Sequence, residues 1–134
     1  MSKLMNFSKD KLEQSKPFKP VYPDNTEMDA TIYIKSLKSK ESLQQIDAID
    51  KRKNQSQAKG MESAVQSDID MCCAIIDSID GFTIDEEDNA LGFELNGNKV
   101  VSTRENIRIL VDNFPFIRRQ VAAQSADDNF FYTS

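Results

Sequence analysis

Pro115 falls in the middle of a helical apolar pattern, STRENIRILVDNFPFIRRQV from Ser102 to Val121, and divides it. A proline lacks the N–H that a helix interior needs and pushes the residue before it out of helical geometry. The same ring suits the first turn of a new helix. The stretch therefore reads as two short helices with a bend at Phe114. Ile107, Leu110, Val111 and Phe114 recur at three- and four-residue spacings and mark the inner face of the first helix. Phe116, Ile117 and Val121 belong to the second. Ser102, followed three residues later by Glu105, is a capping-box pattern that starts the first helix near Thr103.

The rest of the chain supplies smaller elements. Met61, Ala64, Val65, Ile69, Cys72, Cys73, Ile76 and Ile79 follow a helical stripe, which predicts a central core helix over 61–79 ended at Gly81. In TIYIKSL, from Thr31, Ile32 and Ile34 alternate with Tyr33 and Lys35, the pattern of a half-buried strand. Ser39 or Ser36 then caps a surface helix over roughly 40–53, with Leu43, Ile46 and Ile49 on its inner side. Its polar end, KRKNQSQAKG, reads as a loop or frayed turn closed at Gly60. LGFEL and KVV flank Asn96-Gly97-Asn98 and predict a tight β-hairpin. Together these elements define an α+β fold, mainly α-helical, with short strands, a β-hairpin and three to four helices in one small domain over 27–134.

Residues 1–26 read as a flexible basic tail. Lys3, Lys9, Lys11, Lys16 and Lys19 outnumber Asp10, Glu13 and Asp24, and Pro17, Pro20 and Pro23 interrupt any regular element. A solvated terminus is one reading; an arm docked on an acidic partner or on its own domain is the other. Phe7, Phe18 and Tyr22 would be the anchors of such an arm.

Composition narrows the function classes. The 134 residues carry a net charge of −5, against the clustered excess of Lys and Arg that nucleic-acid binding requires. No apolar run approaches the roughly 20 residues that span a bilayer, and the N-terminus has no apolar core of signal-peptide type, so an intracellular, membrane-free location is expected. Cys72 and Cys73 are adjacent and the sequence has no His, which disfavours a disulfide or a zinc site; they read as reduced thiols, at least one in the core. Between Gly60 and Asn98 stand acids from Glu62 to Glu94 and no Lys or Arg. Placing Asp85, Glu87 and Asn89 in a calcium-loop register puts Ala90 where glycine belongs and Asn96 where the bidentate Glu belongs, so the run reads as a solvated acidic surface. No nucleophile elbow or phosphate loop is present, and His, the commonest general base, is missing. A binding or assembly protein without cofactor or metal is expected, not an enzyme.

The order of elements resembles that of the tail assembly chaperones of long-tailed bacteriophages. The resemblance rests on ATIYIKSL, on DGFTID followed by GFELNGNKVVSTRENIRILVDNFPFIRRQV, and on the terminal NFF, and it covers about residues 29 to 131. It implies a protein of the host cytoplasm that binds the aggregation-prone tape-measure protein, keeps it soluble and helps recruit tail-tube subunits. It also implies absence from the finished tail, and many chaperones of this kind are made in a longer frameshifted form as well. The alternative is a structural tail or adaptor protein retained in the virion. The residues expected to contact a partner or a neighbouring subunit are Phe114, Phe116, Ile117 and Val121, with Phe130, Phe131 and Tyr132 as a second set. The second set is either a last core contact or an exposed aromatic patch.

Overall fold

The computed structural model describes residues 4, 8–55 and 61–132, with side chains for 4, 8–51 and 64–132. The protein is an α+β fold, mainly helical, built on a three-stranded antiparallel sheet. Strand β1 (Lys16–Phe18) pairs with β2 (Thr31–Ile34), and β2 pairs with β3 (Ile76–Asp80). Ile32 and Ile34 of the central strand are fully buried while Thr31 and Tyr33 are half-buried, as the alternation predicts.

The helix expected over 61–79 is shorter. Helix α2 (Met61–Ile75) carries Ile69, Cys72 and Ile75 into the core, and the chain then passes without a loop into β3. The register explains why the stripe misleads. Ile34 pairs with Ile76 and Ile32 with Ile79, so two steps on β2 face three on β3. This bulge turns residues three apart to the same side, and Ile76 and Ile79 are both buried although they satisfy a helical spacing equally well. Gly81 therefore ends a strand instead of capping a helix.

Of the two readings of the N-terminal stretch, the solvated tail gives way to the docked arm. Residues 8–28 are an arm docked on their own domain, with the expected tail boundary at 26 lying between two paired strands. Leu12, in a 3-10 turn over Lys9–Glu13, and Phe18 join the core, and Pro20 is fully buried. Beyond it the chain folds back on itself: the Tyr22 N–H donates to the Thr26 carbonyl (2.8 Å) and the Met28 N–H to the Pro20 carbonyl (2.9 Å). Gln120 holds this loop like a neighbouring strand, accepting from the Val21 N–H and donating to the Val21 carbonyl, both at 2.8 Å. Phe7 lies outside the described residues. Gln120→Ala should leave two backbone groups without partners, costing about 1–2 kcal/mol. Amide exchange at Val21, Tyr22 and Met28 should quicken while β2 stays protected; unchanged exchange would mean the arm is held elsewhere.

Helix α1 (Lys40–Gln55) is capped by Ser39, whose Oγ accepts from the Ser42 N–H at 3.1 Å. Its inner face runs through Ser42, Ile46 and Ile49, and Leu43, expected inside, is 55% exposed. The helix continues through Gln55 where a loop or frayed turn was expected, and Gly60 lies outside the described residues. Strands β4 (Leu95–Asn96) and β5 (Lys99–Val100) form the predicted hairpin, with positive φ at Gly97 (67°) alone.

Helices α3 (Arg104–Asn113) and α4 (Pro115–Ser125) meet at Phe114, with Pro115 in the first turn of α4 as its chemistry requires. The cap of α3 is Thr103, which accepts from the Asn106 N–H at 3.1 Å. Ser102, the expected cap, instead accepts from the Ile79 N–H at 2.9 Å and ties this segment to β3. A fifth helix not expected from the sequence, α5 (Asp128–Tyr132), packs against the Lys9–Glu13 turn.

Candidate functional site

Ridges from α3 and α4 cannot close fully at a proline bend, because the helix axis breaks where Phe114 leaves helical geometry (φ −126°, ψ 81°). Beside that break lies an apolar recess of about 170 Å³. Leu110, Phe114, Phe116 and Ile117 line it from the bend; Phe82, Thr83 and Ile84 from the segment after β3; Phe93 and Val100 from the hairpin region; and Tyr22 and Met28 from the arm. Its floor is buried, at Met28, Phe82, Phe93, Val100, Leu110 and Ile117. Its mouth is open at the exposed Tyr22 and Thr83 and the half-buried Ile84, Phe114 and Phe116. The mouth aromatics contact each other, Phe114 with Phe116 edge-on at 6.2 Å between centroids and Tyr22 with Phe116 at 6.5 Å.

Polar contacts fix the walls. Asn106 of α3, 1% exposed, accepts from the Glu94 N–H (3.0 Å) and donates to the carbonyls of Glu94 (2.9 Å) and Val101 (2.8 Å). The hairpin wall, which carries Phe93 and Val100, is thereby held to the helix that carries Leu110. On the far side, guanidiniums clamp α3 and α4 to α2. Arg108 pairs with Asp70 (2.7 Å), and Arg118 pairs with Asp68 (3.0 Å) and donates to the Val111 carbonyl (2.8 Å). Arg104 donates to the carbonyls of Cys73 and Ile76.

The seven expected contact residues divide. Phe114, Phe116 and Ile117 come together at the recess, whereas Val121 is fully buried behind it in the core. Phe130, Phe131 and Tyr132 are elsewhere, on α5. Phe131 is buried, and Phe130 stands half-buried, edge-on to Phe18 (6.3 Å) and Phe131 (5.0 Å), with the Lys16 Nζ 4.9 Å from its ring centroid. That second set closes the core over the arm. Tyr22, Met28, Phe82 and Phe93 are recess residues the sequence reading missed as a group, because they lie in three separate stretches.

A second, polar cleft of about 380 Å³ lies between α1, α2 and α3, lined by Glu41, Gln45, Ile49, Asp70, Cys73, Ala74, Arg104 and Arg108. Its carboxylates are paired within the protein, Glu41 with Lys35 and Asp70 with Arg108, and Arg104 is held by the Cys73 and Ile76 carbonyls. Both cysteines are free, Cys72 buried and Cys73 half-buried. Burial, then the neighbouring Asp68 carboxylate, pushes the Cys72 thiol from 9.0 up to about 12, and burial also raises Cys73. Neither offers a thiolate near neutral pH. The folded chain holds a Cys72 proton that the unfolded chain releases above 9.0, so this contribution to stability is complete below that value and is lost between 9.0 and about 12. Denaturant titrations should show unfolding free energy falling more steeply over that window in the wild type than in Cys72→Ala; parallel curves would contradict the raised thiol.

Among the described residues no group of three or more His, Cys, Asp or Glu could hold a metal ion, and no helix is long and apolar enough to cross a membrane. Asp85, Glu86, Glu87 and Asp88 are exposed. Comparison with protein-family models, with curated proteins and with solved structures finds no match.

Proposed function

We propose that this chain is a tail assembly chaperone of a long-tailed bacteriophage, acting in the host cytoplasm. It binds the tape-measure protein through apolar contacts, keeps it soluble and helps recruit tail-tube subunits. The observation that carries this reading is the open apolar recess at the Pro115 bend, within the stretch where the sequence resemblance is densest. A holdase needs a site that accepts apolar side chains of its client, and a charged exterior that keeps the complex dispersed. The recess offers the first and the net charge of −5 the second. No catalytic step is part of the proposal.

A chaperone leaves before the particle is finished, whereas an adaptor stays. Mass spectrometry of purified particles should therefore lack this protein while infected-cell lysates contain it. Its presence in stoichiometric amounts in the particle would overturn the chaperone reading in favour of a structural tail component.

A further inference from the structure

We infer that the recess receives one aromatic side chain from a partner segment whose flanking residues are Lys or Arg, an inference that rests on the chaperone reading only for the partner's identity. Size sets the first half. A cavity of about 150 Å³ lined by Leu, Ile and Phe accepts benzene, so the volume of about 170 Å³ beside Phe114 takes one ring and little more. Aromatic edges at Phe114, Phe116 and Tyr22 frame its mouth, and ring-on-ring contact adds to burial alone.

Charge sets the second half. The segment that supplies Phe82, Thr83, Ile84, Phe93 and Val100 to the recess also carries Asp85, Glu86, Glu87, Asp88 and Glu94, all exposed, with Lys99 its single cation. Elsewhere in the protein, acids facing a cation are paired with it, as Asp68 is with Arg118, Asp70 with Arg108 and Glu41 with Lys35. Among the described residues these five carboxylates form no ion pair. A socket whose lining chain carries unneutralised carboxylates next in sequence to Ile84 and Phe93 favours a basic segment around the inserted ring. It disfavours a second copy of this chain, which would bring the same carboxylates and the same net charge of −5.

The test uses the full chain and a synthetic peptide with one Phe between two Lys pairs. Affinity is read by fluorescence anisotropy, and location by the shifts of the Leu110 and Ile117 methyl resonances. Changing the peptide's Phe to Ala, or its lysines to Glu, should each weaken binding by at least ~10-fold. Replacing the exposed pair in the protein, Glu86→Lys with Glu87→Lys, should weaken the Lys peptide and flatten its salt dependence. Equal affinity for the Phe and Ala peptides, or shifts that miss Leu110 and Ile117, would overturn the inference. Peptide binding in the recess by a chain that leaves the tape-measure protein insoluble would overturn the chaperone reading alone. A solubilised tape-measure protein without any peptide binding would overturn the recess inference alone.

Discussion

Replacing Asn106 with Ala should lower the unfolding free energy by about 4 kcal/mol, because three backbone groups lose their partner together. An unsatisfied buried donor or acceptor costs about 1–3 kcal/mol, and the Glu94 N–H, the Glu94 carbonyl and the Val101 carbonyl all depend on this one side chain. Partial access of water to the exposed Glu94 keeps the sum below three full penalties. For a chain of this size the loss corresponds to roughly 15 °C in Tm. Asn106→Asp separates hydrogen bonding from volume. It keeps the acceptor for the Glu94 N–H but sets a carboxylate against two carbonyl oxygens, so the folded state favours the protonated acid. Its stability should fall as pH rises above about 4, the ordinary carboxylate value, toward the raised value of the folded state, while the wild type shows no such loss there. A thermal melt of Asn106→Ala within about 3 °C of the wild type would show that the hairpin wall is held by other contacts.

Gly81→Val should cost about 3 kcal/mol, the second large loss. Gly81 has φ +82°, a region that costs an L-residue about 1–2 kcal/mol and suits a β-branched one least. An added Cβ would also stand 3.0 Å from the Asp29 carbonyl oxygen and 3.2 Å from Ala30 Cα, backbone atoms that cannot swing aside. Asp29 and Ala30 lead into β2, so the strain reaches the central strand of the sheet. Chemical denaturation should show a lower midpoint with an unchanged slope. Gly97→Val makes the control: its φ is +67° but nothing lies within 4 Å of an added Cβ, so only the conformational part of the loss should remain. Equal losses at the two positions would remove the close approach to Asp29 from the explanation.

What the sequence disclosed is what local chemistry decides. Pro115 has one backbone geometry and one missing N–H, so the α3–α4 bend could be placed to the residue. The alternation of Ile32 and Ile34 and the turn at Gly97 were legible for the same reason. Pairings between distant residues were not. Ile76 and Ile79 fit a helix until β2 is laid beside them, and only that pairing creates the bulge that turns both inward. Ser102 has the right spacing from Glu105 for a capping box, yet its hydroxyl serves β3 and Thr103 takes the cap.

The recess was half legible. Phe114, Phe116 and Ile117 are close in sequence and share the bend, and they line one surface. The arm that completes it was legible only as one of two readings, since three prolines and an excess of Lys read as a solvated tail while Phe18 and Tyr22 offered anchors for docking. Its anchors, Leu12, Phe18, Pro20 and Met28, are spaced with no period and find their places only against the finished domain. Asn106 carries no local signal at all. Polar residues in the first turn of a helix are common, and what makes this one a hub is the hairpin packed beside it.

The central claim is that the chain keeps a tape-measure protein soluble by taking its apolar side chains at the Pro115 bend. The most direct measurement is the soluble fraction of that protein when co-expressed with this chain, either wild type or Thr83→Trp. Thr83 is exposed at the mouth of the recess, so the larger side chain should fill the opening, and an unchanged melting temperature checks that the fold is kept. The expected result is a soluble tape-measure protein with the wild type and a largely insoluble one with Thr83→Trp. A tape-measure protein that stays insoluble beside the wild-type chain, or that is equally soluble beside both, would contradict it.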